Sequence, residues 1–341
     1  MDFFVTGHTG FKGSWLTVLL RTLGHRVSGY SLEPVRGGLF ERAELRSELI
    51  HHFNGDVRDK PRLQEALRIS KPDVAIHLAA QPLVLKSYED PIETYTTNVD
   101  GTRNFLEAVT SLKKPPITLV VTTDKVYRDS GATGHRENDP LGGFDPYSTS
   151  KAMADILSQG WALSNANLKI LIARAGNVIG AYDVSEHRLI PDVVRSLNSN
   201  APLKVRNPDS IRPWQHVLDC LNGYLMYIDA YIRNTPVPMV LNFGPDPENS
   251  KTVRDVLRVI EAEFPNFKLE IEGDNTKMRE TAQLSLDSTL AMKLLNWKNL
   301  IPFQDAVRLS LEEIHAVSPR VMVQGQVDDF LRRASLRGPT Q

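Results

Sequence analysis

Short apolar runs alternate with amphipathic stretches through the first half of the chain. Residues 3–6 (Phe-Phe-Val-Thr) read as a buried strand, and Gly7-His8-Thr9-Gly10-Phe11-Lys12-Gly13 follows at once. Over residues 14–23 apolar side chains recur at Trp15, Leu16, Leu19, Leu20 and Leu23, the spacing of one helix face, and Gly24 stops the pattern. Residues 26–30 form a second strand. The alternation continues with a strand at 49–53, Gly55-Asp56, a polar helix over roughly 61–70 and a strand at 74–78. A helix over 91–112 precedes the strand 117–122, and a helix over 147–164 precedes the strand 169–173. Strands and helices in this order predict an α/β fold, a Rossmann-type doubly wound parallel sheet with helices on both faces.

After about residue 175 the alternation weakens and proline becomes frequent, at 191, 202, 208, 213, 236, 238 and 245. A chain of 341 residues also exceeds the usual ~100–200 residues of one domain. The expected division is a dinucleotide-type domain over 1–175 and a smaller mixed α/β lobe over 176–330, some of whose segments return to the first sheet. Residues 331–341 have little apolar content and are expected to fray.

Charge and cysteine content remove several function classes. Lys plus Arg number 40 against 41 for Asp plus Glu, a net charge of −1 without long basic runs, so neither nucleic acid nor a membrane surface is an expected partner. Cys220 is the single cysteine, which excludes an intrachain disulfide and a cysteine-based zinc cluster. The nine histidines show no ligand spacing, and the adjacent His51 and His52 fall on opposite faces of a strand, so no metal is expected. The start reads as a strand rather than a signal peptide, and no apolar run nears the ~20 residues of a spanning helix. A cytoplasmic protein is expected.

Gly7, Gly10 and Gly13 stand between a strand and a helix. Backbone without side chains can turn tightly and approach a pyrophosphate, while the helix start offers free N–H groups to the anion. The segment after the second strand, Tyr30-Ser31-Leu32-Glu33, puts a serine nearest the point where an acid would hold a ribose hydroxyl, and Arg36 could meet a 2′-phosphate. NAD and NADP therefore stay open on these residues. Asp56 is a candidate for the adenine amino group, or else a turn residue.

Tyr147 and Lys151 are four residues apart and share a helix face. A nearby ammonium lowers a phenol's pKa, which suits Tyr147 to accept a proton from an alcohol. Upstream, the strand 117–122 ends in Thr123-Asp124-Lys125. Parallel sheets place chemistry at the carboxyl ends of their strands, so this segment shares a crevice with the glycine loop.

These motifs resemble the extended short-chain dehydrogenase/reductase family, and within its sugar-nucleotide branch the 4,6-dehydratases. The resemblance rests on Thr6-Gly-His-Thr-Gly-Phe-Lys-Gly-Ser-Trp-Leu16, His77-Leu-Ala-Ala-Gln-Pro-Leu-Val84, Ser87-Tyr88, Thr97-Asn-Val99, Thr123-Asp-Lys125 and Leu141-Gly-Gly-Phe-Asp-Pro-Tyr-Ser148. It continues through Arg174-Ala-Gly-Asn-Val-Ile-Gly180, Arg206-Asn-Pro208, Arg212-Pro-Trp-Gln-His-Val217 and Asn242-Phe-Gly-Pro245.

The resemblance implies bound NAD, a CDP-linked glucose as substrate, and a homodimer or dimer of dimers. It implies oxidation at C4 with Tyr147, Lys151 and Thr123 handling the O4 proton, loss of water across C5 and C6, and return of the reducing equivalents to C6. Asp124 and Lys125 would take the places of an acid and a base at C6 and C5. The implied cofactor contacts are Gly7, Gly10, Phe11, Lys12, Gly13, Asp56, Val57, Leu78, Ala79, Ala80, Asn98 and Thr122, with Tyr147 and Lys151. The implied substrate contacts are Gln81, Ser87, Asn177, Arg188, Arg206, Arg212 and Glu280. Trp214 reads as core and His216 as structural.

The chain departs from the family pattern in two places. Ala181-Tyr182-Asp183-Val184-Ser185-Glu186-His187-Arg188 replaces a Gly-Gly-Asp-Trp run, and Lys277-Met278-Arg279-Glu280-Thr281 replaces a histidine-rich segment. Both would border the substrate, which leaves a dehydratase or 4-epimerase of another sugar nucleotide as the alternative. A non-catalytic dinucleotide sensor is the remote one.

Overall fold

Strand β1 (Asp2–Thr6) lies inside a seven-stranded sheet. Its companions are β2 (Arg26–Ser31), β3 (His51–Asn54), β4 (Val74–His77), β5 (Ile117–Val121), β6 (Lys169–Ala175) and β7 (Val240–Phe243). The sheet runs in the order β7-β6-β5-β4-β1-β2-β3 with every pairing parallel. This computed structural model describes residues 1–128, 134–245, 250–271 and 285–335. Strand order reverses at β1, which has β2 on one side and β4 on the other, so a crevice opens beyond the carboxyl ends of these strands.

Alternation along each strand divides the apolar residues between two cores. Phe3, Val5, Val74, Ile76, Leu119, Val121, Leu171 and Ala173 join one face, whereas Phe4, Ala75, Val120, Ile170 and Ile172 join the other. Both faces are covered, which explains why the strands read as continuous apolar runs.

Several expected boundaries shift. The strand expected at 74–78 ends at His77, that at 117–122 ends at Val121, and that at 169–173 continues to Ala175. The single helix expected over 91–112 is instead a short helix (Pro91–Tyr95), a π-type turn (Thr96–Asp100) and a second helix (Gly101–Thr110). The wider turn carries Asn98 into the interior, where its side-chain amide bonds Gln81 and Ser150. The helix Pro146–Ser164 starts as its sequence dictates: Pro146 occupies the first turn, and Asp145 accepts from the Ser148 N–H at 2.8 Å.

Beyond β6 the chain builds small paired strands, Val178–Ile179 with Gln215–His216, Ile211–Pro213 with Ser250–Thr252, and Leu203–Val205 with Leu269–Ile271. Helices Leu189–Ser199, Val217–Ile232 and Val253–Glu263 support them, and β7 returns to the main sheet. Residues 331–335, the start of the tail expected to fray, are helical. The helix Pro319–Ser335 runs through them, with Arg333 paired to Asp329 and Asp305, and it packs back on the first helix, where Gln324 Nε2 donates to Thr22 Oγ1 at 2.9 Å.

The closest backbone approach is at Gly13, where an added Cβ would lie 2.1 Å from the Gly7 carbonyl oxygen. Gly13→Ala is expected to lose about 1–3 kcal/mol or more, because backbone must move. Gly325→Ala, in a helix with open space around it, should gain about 0.5–1 kcal/mol. Urea midpoints of the two variants check both signs.

Candidate functional site

The glycine loop closes β1 onto the helix Phe11–Thr22. Gly7 sits at φ +75°, donates its N–H to Tyr30 O at 2.9 Å, and accepts from the Gly10 N–H at 3.1 Å. Gly10 caps the helix without any side-chain bond, and no acid lies in the first turn. The free N–H groups and the positive end of the helix dipole thus face the crevice, an arrangement that fits a dinucleotide pyrophosphate. Thr9 ties the loop to β2 through Ser31 Oγ at 2.7 Å and Leu32 O at 3.0 Å.

Other members of the expected cofactor set take varied positions. Phe11 is half-buried against Gly180, and Lys12 Nζ donates to Tyr224 Oη at 3.3 Å, across to the helix Val217–Ile232. Asp56 adopts the turn role: its carboxylate accepts from the Arg58 N–H at 2.8 Å and pairs with the Arg58 guanidinium, which holds its pKa below the ordinary value. Val57 is buried in the second core beneath it.

A buried histidine positions the segment after β4. His77 Nδ1 meets Thr6 Oγ1 at 2.8 Å and its Nε2 meets Thr102 Oγ1 at 3.2 Å. The Thr6 hydroxyl also accepts the N–H groups of Leu78 and Ala79, both at 3.2 Å. Burial pushes the His77 pKa down to about 3, so the ring stays neutral. Leu78, Ala79 and Ala80 are thereby held, half-buried, beside the glycine loop.

Two residues expected as substrate contacts make internal hydrogen bonds. Gln81 donates to Thr94 Oγ1 and Leu83 O and accepts from the Leu83 N–H, which commits its amide. Ser87 is fully buried and donates to Val84 O at 2.6 Å. Asn98 likewise spends its side-chain amide on Gln81 and Ser150, and the Thr122 hydroxyl donates to Asp155 Oδ2. Polar side chains whose groups are all satisfied inside cannot turn to a ligand without leaving those partners unpaired.

The expected catalytic residues do converge. Thr123 Oγ1 donates to Asp124 Oδ1 at 2.9 Å and is near enough to Tyr147 to lower the pKa of its phenol. Asp124 is 1% exposed, its Oδ2 has no partner among the described residues, and burial raises its pKa despite the neighbouring Lys125 and Lys12. An added Cβ on Gly176 would lie 3.5 Å from that oxygen and from Pro213 Cγ, so the unpartnered oxygen faces Gly176 and the strand Ile211–Pro213. Lys125 is half-buried and makes no ion pair with Asp124 among the described residues. Lys151 Nζ donates to Val121 O at 2.8 Å, and burial brings its pKa down to about 8.

The Lys151 ammonium is turned to β5 through Val121 O. Burial pushes Tyr147 up to about 12, against the lowering effects of the Thr123 hydroxyl and Arg188.

The second lobe brings the arginines to different depths. Arg188 Nη1 holds Asp183 at 3.1 Å and lies within electrostatic range of Tyr147. Arg212 stands on the strand beside Gly176, whereas Asn177 and Arg206 are exposed. Trp214 is core and His216 caps a helix, as expected. Glu280, with residues 277–281, lies outside the described residues. Arg174 and Asp155 were not singled out as a pair. Both are at most 1% exposed and form a bidentate ion pair at 2.8 and 2.9 Å. An arginine inside the apolar run Ile170-Leu-Ile-Ala-Arg-Ala was the available signal, since such a charge requires a buried acid.

The NAD dependent epimerase/dehydratase family matches residues 3–244. The chain belongs to that family. A CDP-glucose 4,6-dehydratase of Salmonella typhimurium is 40% identical over 306 residues, covering 86% of this chain and 85% of the relative. In fold the chain is similar to a dTDP-glucose 4,6-dehydratase from Bacillus anthracis in complex with NAD, with TM-score 0.76 and 22% identity over 92% of this chain and 96% of that one. It is also similar to a UDP-glucose-4-epimerase from Stenotrophomonas maltophila with bound NAD, with TM-score 0.81 and 20% identity over 92% and 98%. NAD is the cofactor of this family, and the glycine loop fits it.

The raised pKa of Asp124 has a consequence for stability. The folded chain binds this proton more tightly than the unfolded chain, so the contribution is greatest in acid and is lost as pH rises toward the folded pKa. Asp124→Asn removes the titration. Relative to the wild type, its urea midpoint is expected to rise as the pH climbs from the ordinary carboxyl range toward neutrality. An unchanged difference across that range would show that the carboxyl is solvated.

Proposed function

We propose that the chain converts CDP-glucose to its 4-keto-6-deoxy derivative, as an NAD-dependent hydro-lyase in the cytoplasm. The observation that carries this reading is the buried Asp124 carboxyl, whose Oδ1 accepts from the Thr123 hydroxyl within electrostatic range of Tyr147, while its Oδ2 has no partner among the described residues. Epimerisation at C4 needs a proton acceptor for O4 but no second acid, whereas elimination needs a donor for the departing C6 hydroxyl. The 40% identity to the Salmonella CDP-glucose enzyme supports the choice of sugar nucleotide.

When bound, NAD would supply reversible redox chemistry for the oxidation at C4 and the reduction at C6. The rest falls to the chain's own groups. The Tyr147 phenol exchanges a proton with O4, helped by Thr123, and Lys151 supplies positive charge to the wall behind it. The C4 ketone acidifies the C5 proton, which is assigned to Lys125, and Asp124 donates to O6 as water leaves. Burial suits Asp124 to this task, since a carboxyl with a raised pKa keeps a proton to give. Arg188 and Arg212 are assigned to the substrate pyrophosphate, where a guanidinium fork matches the oxygens. Arg206 and Asn177, both exposed, are assigned to the remaining nucleotide contacts. Gly7, Gly10, Phe11, Lys12 and Gly13 with Leu78, Ala79 and Ala80 line the NAD side.

Incubation with CDP-, dTDP-, GDP- and UDP-hexoses in deuterated water tests the reading by mass. CDP-glucose should lose one water and gain one deuterium. Tyr147→Phe and Asp124→Asn should each lower kcat by about 10²–10⁴. Turnover to the C4 epimer, without loss of water, would make this chain an epimerase, and cofactor binding with no turnover of any hexose would make it a sensor.

The proposed assembly is a homodimer. Helix Pro146–Ser164 leaves Met153, Ile156 and Leu163 exposed along one side, with Ile92 and Tyr88 exposed on neighbouring helices. A contiguous apolar face of this kind favours a second copy. Ile156→Lys with Leu163→Lys is expected to halve the mass measured by light scattering.

A further inference from the structure

The acid-bearing segment, residues 122–127, is suspended between two anchors. At one end Thr122 donates its N–H to Ala173 O and its hydroxyl to Asp155 Oδ2, both at 2.8 Å. At the other end the Tyr127 hydroxyl accepts from Arg174 Nη1 at 2.9 Å and donates to Asn242 Oδ1 at 2.6 Å. The two anchor groups, Asp155 and Arg174, are bound to each other through Nε and Nη2. Thr123, Asp124 and Lys125 lie between the anchors.

The same pair also engages the other half of the machinery. Asp155 follows Lys151 by four residues and Tyr147 by eight, so all three share a helix face. Its Oδ1 also accepts from Gln159 Nε2 at 2.7 Å, which fixes the carboxylate to its own helix. Arg174 is fixed in turn by Glu137 O at 2.8 Å and by the Tyr127 ring, 4.9 Å away at its centroid.

We propose that the Asp155–Arg174 pair is a positioning device for dehydration: it holds both ends of the Asp124-bearing segment against the helix that carries Tyr147 and Lys151. Neither residue faces the crevice, so both act through Thr122 and Tyr127. A buried ion pair is a weak source of stability, since apolar residues of similar volume often fold as well or better. What such residues cannot supply is directed hydrogen bonds to both anchors. A misplacement of ~1 Å at a reacting group costs on the order of 10²-fold in rate. The inference rests on the dehydratase reading for its kinetic consequence, but its mechanical content is independent of substrate.

Three variants of the full-length chain test it, with wild type alongside. Tyr127→Phe keeps the ring and removes one anchor, Thr122→Val removes the other, and Asp155→Leu with Arg174→Met replaces the pair. Hydrogen exchange at amides 123–127 should quicken about tenfold or more in each, with exchange in β1 and β4 unchanged. With CDP-glucose, kcat should fall about tenfold for the single variants while KM stays within about twofold. Deuterium at C5 should slow these variants more than the wild type, and deuterium at C4 no more than the wild type, because elimination is the step displaced.

Unchanged exchange at 123–127 in the two single variants would overturn the positioning claim even if the double variant failed to fold. So would faster exchange with unaltered kcat. If wild type leaves CDP-glucose untouched, the proposed activity falls, while the exchange measurement still decides whether the pair fixes the segment.

Discussion

A carboxylate and a guanidinium withdrawn from water, Asp155 and Arg174, meet where strand β5, strand β6 and the helix Pro146–Ser164 converge. Each would be intolerable there alone: removing one partner of such a pair typically costs about 3–5 kcal/mol, because the other stays buried and charged. The geometry meets that demand in full. Asp155 accepts from Thr122, Gln159 and two arginine nitrogens, and Arg174 donates onward to Tyr127 and Glu137. The pair can therefore exist only if strand, loop and helix hold one relative placement, which is the placement the reacting groups need.

The cofactor side reaches the same end by neutral contacts. Thr6, His77, Thr102 and Asn98 form a relay that links β1, the loop after β4 and the π-type turn, and Asn98 passes it to Ser150 on the catalytic helix. The neutral His77 ring carries no charge to compensate. The close approach of Gly13 to Gly7 then fixes the helix start against β1. Charged and neutral networks meet at the helix Pro146–Ser164, so the glycine-loop side and the Asp124 segment share one support.

Much of this was legible in the amino-acid order, and the limits are instructive. Continuous apolar runs gave a doubly covered parallel sheet, since a strand buried on both sides has no polar face to show. The chemistry-bearing residues Thr123, Asp124, Tyr147 and Lys151 also converge as their spacing and strand-end positions required. Sequence could not say where a hydroxyl or amide points. Gln81 and Ser87 sit in a stretch that reads as ligand-binding, yet their polar atoms are consumed by Thr94, Leu83 and Val84. The break in the expected helix over 91–112 had the same cause, a tertiary demand for Asn98 that local periodicity does not register. Arg174 was visible as a charge in an apolar strand, but its partner lies 19 residues away on another element.

The contrast between paired and unpaired buried charge separates scaffold from chemistry. Asp155 and Asp124 are both carboxyls at the carboxyl edge of the sheet, and both are almost wholly buried. Asp155 has its oxygens saturated by Thr122, Gln159 and Arg174. Asp124 has one oxygen bonded by a neighbouring hydroxyl and the other without a partner, so proton gain or loss disturbs little else. The fold thus places its rigid charge one layer behind its labile one. An acid that must give up a proton is useful only where its own position does not depend on that proton, and here the position is set by the segment's two ends.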